Sequence, residues 1–558
     1  MGVLASLVAT SWVVAPRVVA QEQGSSKPVP ESAGPEYRSA SEAEQLDLLR
    51  RLLGVESPKP GPPEPVAESP KPAPQAQPAS SPPPAAKPVV KAKPKPAPKP
   101  KPMARPKPKP VAKPKSAAKS LEVKESPAPV VEPEIVAAPE PEGGVGASQA
   151  YSDLGITETD LPPVGTILVS SNSERWKHLL TPSLRWTLQR GGRMTVVAPQ
   201  HIPDEPPRVE ATEKYHQQVS LAPGKKSLLN YVAGVPFPDV TVDDPDVAQK
   251  VIFNFENRVM FDDVDGRNFG CITGKISETD GVQVERNYRI GHFRRLYYTG
   301  RFLVEPMPVW KTDEGIRLRE TLFPINEPFD FKGAGFTYNR YLDPTRQDDS
   351  WLYYPQTKRV RRLSTAQRSE GVFGQDVDLD SYAGFAGNPA WFDWRLLGKK
   401  TLLASYHAMN EPVKWAAKPG DFMFDDAWEP RETYVLAARS RLPGYNFSLR
   451  VIYVDAEIFH IPYTEVYDND GQLWRAYVQQ WKAGSNKPMP YAKEAVYPFP
   501  TTFIQALTVF DMQQMHTTRC EFPASDAPTE DTWYYFWGER GGTQPEDFDV
   551  ANFINAGR

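Results

Sequence analysis

Cysteine is nearly absent: the 558 residues hold two, Cys271 and Cys520. Two cysteines this far apart make no small-domain disulfide framework, no Cys-x-x-Cys metal knuckle and no dithiol redox motif. They either pair in an oxidising compartment or stay as two buried thiols, and the sequence leaves both open. Neither follows the apolar leader, which excludes an N-terminal lipid-modified cysteine. Histidine is also scarce, with seven scattered residues, His407, His460 and His516 among them, and no i,i+3 or i,i+4 pair to hold a metal. There is no His-Glu-x-x-His, no phosphate-binding glycine loop and no Gly-x-Ser-x-Gly elbow. No catalytic residue and no cofactor is expected. A basic, aromatic-interleaved surface is missing too. Residues 141–558 carry about −10, so nucleic acid is not an expected partner.

Long apolar runs are lacking except at the start. Gly2 to Ala15, then Pro16-Arg17-Val18-Val19-Ala20, reads as a signal peptide over 1–20 with a small-residue cleavage site before Gln21, or as an uncleaved anchor. Pro16 and Arg17 cut the run below the roughly 20 residues needed to span a bilayer, which favours cleavage and export. The tail 21–55 holds a capping box, Ser41-Glu-Ala-Glu44, followed by Leu46, Leu49, Leu52 and Leu53 at helical spacing up to Gly54. A helix this short is marginal alone and needs a surface to dock on.

Proline is plentiful but uneven: residues 56–140 hold 26 of 61. Between Lys87 and Lys119 stand eleven lysines and Arg105, with no acid. Alternating Lys-Pro favours extended polyproline II, stiffened by like-charge repulsion, so 56–150 is expected to be a disordered linker, of which residues 56–140 alone reach on the order of 260 Å. It resembles the Pro/Lys spacers of TonB-type proteins, and its charge suits contact with an anionic cell wall or membrane surface.

Residues 151–558 hold nearly all the aromatics and ample chain for a large core. Gly165–Val169 and Met194–Ala198 read as strands, flanking two short helices separated by Pro182 and stopped at Gly191-Gly192. Trp351-Leu-Tyr-Tyr-Pro-Gln-Thr-Lys-Arg-Val-Arg-Arg-Leu363 reads as a β-hairpin turning at Pro355, with one aromatic and one basic arm. Glu432–Ser440, Asn446–Val454, Ile458–Tyr467 and Leu473–Trp481 are joined by the turn signals Pro443-Gly444, Asp455-Ala456 and Asp468-Asn-Asp-Gly471. Such short connections force an antiparallel meander. Asp262-Asp-Val-Asp-Gly266 and Asp468–Gly471 lack the Glu that a calcium loop needs at its twelfth position and read as hairpin turns. Asp376, Asp378 and Asp380 suit a loop entering the Phe392 strand, although paired carboxylates in a cleft are also what a glycoside hydrolase uses.

Several segments recur in a recognisable order. They are Tyr231-Val-Ala-Gly-Val-Pro-Phe-Pro-Asp239, Ala248–Asn257, the Trp351 hairpin, Phe392–Lys400, Arg450–Asp455 and Tyr467–Arg475. Together they resemble a domain-of-unknown-function family of exported Gram-negative envelope proteins, similar to outer-membrane lipoprotein-sorting (LolA/LolB-like) proteins. The Pro/Lys stretch departs from that pattern. The resemblance implies a mainly β, α+β fold: a large curved antiparallel sheet, or half-barrel, closed by helices over an apolar cavity. It also implies partners: a lipid or other apolar ligand, an inner-membrane RND-type exporter and an outer-membrane β-protein.

The expected function is therefore a non-enzymatic protein, free in the periplasm or associated with the outer membrane, that binds a lipid or apolar ligand. A structural scaffold and an envelope polysaccharide hydrolase are the rivals. Aromatic walls with polar handles suit a carrier. Candidate contacts are Trp351, Tyr353, Trp394, Tyr453 and Trp474, with Arg359, Arg361 and Arg362 placed to meet acidic headgroups or a partner.

Overall fold

The computed structural model describes residues 159–258, 262–312, 314–364, 366–485, 499–526, 534–535 and 543–552, with isolated positions between 47 and 55 and at 154 and 156. The chain divides into two units, 1–61 with 145–558, and 62–144. The signal-peptide and Pro/Lys-linker expectations lie outside the described residues.

Short elements come first: β1 (Ile167–Leu168), a 3-10 turn over Ser173–Leu179, helix α1 (Pro182–Leu188), β2 (Met194–Val196), helix α2 (Pro206–Tyr215), the small hairpin β3 (Ser220–Leu221) and β4 (Leu228–Leu229), and helix α3 (Val247–Glu256). The expected first helix is a kinked 3-10 segment, with non-helical angles at Trp176. Helix α1 starts where Thr181 accepts the Leu184 N–H and Pro182 presets the first turn. Helix α3 buries Val247, Ala248, Val251, Ile252 and Phe255 at helical spacing.

The sheet then builds: β5 (Asp263–Ser277), β6 (Gly281–Tyr297), β7 (Ile316–Leu322), β8 (Ile325–Glu327), β9 (Gly335–Tyr341), β10 (Asp349–Tyr354) and β11 (Arg359–Leu363). After a long connection come β12 (Phe392–Ala404), β13 (Ala427–Ser440), β14 (Leu449–Asp455), β15 (Tyr463–Tyr467), β16 (Leu473–Ser485), β17 (Thr501–Asp511), β18 (His516–Glu521) and β19 (Tyr534–Tyr535). Pairing runs β12-β13-β14-β15-β16-β17-β18-β5-β6-β7-β9-β10-β11, each step antiparallel. The expected meander is the stretch β13 to β16. Its second strand starts at Leu449 and its third at Tyr463, later than the apolar pattern suggests. Strand β2 pairs in parallel with Ala427–Trp428 of β13, which makes the sheet mixed; it is not closed.

The sheet is strongly rolled. Phe336 on β9 and Trp481 on β16 are six strand steps apart, about 29 Å in a flat sheet. Both nevertheless wall one small cavity. Cys520 pairs with Cys271 across β18 and β5, and the two form a disulfide.

One turn expectation is overturned. Asp262–Gly266 is no hairpin turn, because β5 begins inside it. The Asp262 carboxylate instead accepts the backbone N–H groups of Phe302, Leu303 and Val304, which an acidic run read locally as a turn cannot reveal. Asp468–Gly471 does form the β15–β16 turn, with Asp468 accepting from the Asp470 and Gln472 N–H groups.

The tail docks. Asp47, Arg50, Arg51 and Leu53 are helical, and Leu53 and Val55 join the core. Arg50 donates to the Leu397 and Leu396 carbonyls at 2.9 and 3.0 Å, and Lys400 donates back to the Leu53 carbonyl. The surface that a short amphipathic helix needs is thus the β12 strand of its own chain.

Candidate functional site

The two outermost strands of the long pairing order, β11 and β12, are consecutive in the chain. The segment 366–391 that joins them runs through the inside of the rolled sheet as a plug. From Asp376 to Ala390 every residue but Tyr382 is buried, which is unusual for a connection carrying so many polar groups. Its tip is a tight turn in which the Val372 N–H donates to the Val377 carbonyl. Phe373 takes φ +54 there, a region that bulky residues rarely adopt. Gly384 sits at φ +82 with the Ile461 methyl 2.5 Å from where a Cβ would stand, so only glycine fits.

Charged anchors hold the plug from both halves of the sheet. Arg368 donates to Asp380 at 2.7 Å with both side chains fully buried. Burial works against the Arg368 charge, but Asp380 and Asp348 outweigh it and hold the guanidinium above its ordinary range. Arg340 on β9 grips Asp348 at 2.9 Å and the Ala386 carbonyl at 2.8 Å. Arg450 on β14 donates to the Ser381 hydroxyl and the Tyr445 hydroxyl, each at 2.6 Å. Tyr477 on β16 donates to Asp378, and burial together with that carboxylate raises the phenol well above its usual value. His516 and Thr518 on β18 both reach Asp376 at 2.8 Å. On the other side, Tyr382 donates to Glu320 on β7, which Arg295 on β6 also contacts.

Between plug and sheet lies a cavity of about 90 Å³. Its sheet wall includes Phe269, Cys271, Ile290, Phe293, Phe336, Trp481, Leu507 and Cys520, and the plug adds Val372, Phe373, Val377, Leu379 and Tyr382. The lining is overwhelmingly apolar. Of the acidic triplet only Asp378 lines it, and its oxygens are taken by Ser381, Tyr477 and the Asp380 N–H. No pair of carboxylates faces an open cleft here. A second cavity of about 330 Å³ lies beside α3, with a mixed lining that includes Tyr231, Phe253, Arg317 and Tyr341. Among the described residues no cluster of His, Cys, Asp or Glu could hold a metal ion.

None of the eight contact residues singled out from the sequence lines either cavity. Trp351 pairs with Arg362 and Tyr353 with Val360 in the expected hairpin. Tyr353 is buried and Trp351 half-buried. Arg359, Arg361 and Arg362 are exposed on β11, which pairs only with β10 among the described strands; Arg362 meets Asp349. Trp394 packs edge-on against Phe385 of the plug and donates to the Pro389 carbonyl. Tyr453 donates to buried Glu465, and Trp474 donates to Asp511. The neighbouring Tyr354 does approach the site, meeting the Phe373 ring edge-on at 5.8 Å. The cavity lining was not legible because it comes from seven strands and a plug that meet only after the sheet rolls.

A family model described as "Protein of unknown function (DUF1329)" matches residues 168–540. The chain belongs to the DUF1329 family. Its match to Uncharacterized protein PA3922 of Pseudomonas aeruginosa is 23% identical over 300 residues, covering 52% of this chain and 62% of that protein. A solved DUF1329 protein from Desulfovibrio piger is 12% identical with a TM-score of 0.35, covering 54% of this chain and 96% of its own. A domain from Vibrio parahaemolyticus, described provisionally as outer membrane lipoprotein-sorting, gives 13%, 0.35, 55% and 97% in the same order. A LolA superfamily protein from Nitrosomonas europaea gives 13%, 0.28, 49% and 90%. In this DUF1329 chain the plug fills the inside of the sheet among the described residues.

Proposed function

We propose that this protein is exported to the periplasm and binds a lipid or other apolar ligand inside the rolled sheet. The observation that carries the reading is the apolar cavity of about 90 Å³ walled by strands from both halves of the sheet and by the plug. The Cys271–Cys520 disulfide suits an oxidising compartment. Among the described residues no helix is long and apolar enough to cross a membrane. The family resemblance extends the reading to trans-envelope transport beside an inner-membrane exporter and an outer-membrane β-protein. Exposed Arg359, Arg361 and Arg362 supply a face for anionic headgroups or such a partner. Trp351 stands on the adjoining strand, paired with Arg362.

Size favours a second reading. An apolar cavity of about 150 Å³ takes a benzene ring, so this one holds no more than a chain end unless the plug shifts. A sheet filled by its own plug also suits a scaffold that encloses no ligand. Extraction of the purified full-length protein, followed by mass spectrometry and titration with fluorescent fatty acids, separates the two. A stoichiometric co-purifying lipid or saturable probe binding supports the carrier; finding neither favours the scaffold. Replacing Arg359, Arg361 and Arg362 by Gln is expected to leave the melting temperature unchanged and to weaken binding to anionic vesicles. Loss of folding would make the three arginines structural.

A further inference from the structure

Two buried polar atoms in the cavity wall have no partner among the described residues: the Gln479 Oε1 and the Trp481 Nε1. Both side chains line the cavity, and they are 1% and 5% exposed. The Gln479 amide is oriented by its Nε2, which donates to the Ile461 carbonyl at 2.7 Å and leaves the oxygen over. Buried amides and indoles are normally satisfied, so an unmatched acceptor and an unmatched donor in one apolar wall call for an explanation. They stand two positions apart on β16, on one face and about 6.6 Å apart along the strand.

We infer that this cavity takes the hydroxyl-bearing part of an alkyl chain, the hydroxyl accepting from the Trp481 indole and donating to the Gln479 carbonyl. The inference rests on the apolar-ligand reading and names the ligand class within it. A hydroxyl both donates and accepts, so it answers both atoms. A ketone oxygen only accepts and answers Trp481 alone, whereas a hydrocarbon answers neither. Each bond made to an otherwise unpaired buried group is worth about tenfold in affinity. The volume limits the part held here to something smaller than a benzene ring.

The test uses the full-length, disulfide-intact protein with three probes smaller than benzene, 1-propanol, acetone and xenon, followed through indole N–H and methyl NMR signals. The expected result is that 1-propanol binds about tenfold tighter than acetone and shifts one indole signal that is missing in Trp481→Phe. Gln479→Leu is expected to bring 1-propanol down to the level of acetone. Equal binding of the two in the unaltered protein, or an unmoved indole signal, overturns the inference. If xenon perturbs the cavity methyls and no oxygenated probe binds, the hydroxyl class falls and the apolar reading stands. If xenon also fails to enter, the apolar-ligand reading falls with it. Should either variant fail to fold, the ranking of the probes on the unaltered protein decides.

Discussion

His460 and His516 act on opposite sides of the pH scale. His460 is buried with its ring 4.7 Å from Trp481, and burial pushes its pKa down to about 3. An unfolded histidine takes its proton near 6.5, so the native state loses stability as pH falls from about 6.5 towards 3. His516 is the reverse, because its hydrogen bond to Asp376 raises its pKa. The stability it contributes is present below about 6.5 and is lost as pH rises through the raised value. Melting curves across pH should therefore flatten on the acid side in His460→Phe and on the alkaline side in His516→Gln. Parallel curves for variant and parent would show that neither residue carries the dependence. The sequence marks both only as isolated histidines. Asp376 is 140 positions from His516, and no local pattern joins them.

The plug is the element on which the inside of the sheet depends. Arg368→Met leaves the buried Asp380 carboxylate without its main partner and should cost about 3–5 kcal/mol in urea denaturation. The exposed β11 arginines should each cost well under 1 kcal/mol when neutralised. Comparable losses at the two sites would remove the distinction between plug anchor and edge charge. The hairpin and the β13–β16 meander were legible because their turns are local chemistry: Pro355, Pro443-Gly444 and Asp468–Gly471. The plug was not. Asp376, Asp378 and Asp380 resemble a solvated acidic loop until Arg368, Tyr445, Tyr477 and His516 arrive from distant strands. The basic β11 arm fits the edge strand it proves to be, since charge there discourages sheet-to-sheet pairing.

At the scale of the molecule, Cys271–Cys520 joins the first long strand of the sheet to one of its last, 249 positions away. A cross-link closing so long a loop stabilises chiefly by restricting the unfolded chain, so Cys271→Ala with Cys520→Ala should cost about 2–5 kcal/mol. An unchanged melting temperature would mean that pairing of β5 with β18 alone fixes the geometry. The rolled, mainly β architecture follows from strand-forming runs and short turns, but whether the two cysteines paired did not, because that depends on which strands become neighbours. The docked tail alters how force reaches the body. With Arg50 and Leu53 held on β12, a pull on the chain ahead of residue 47 is borne first by that contact.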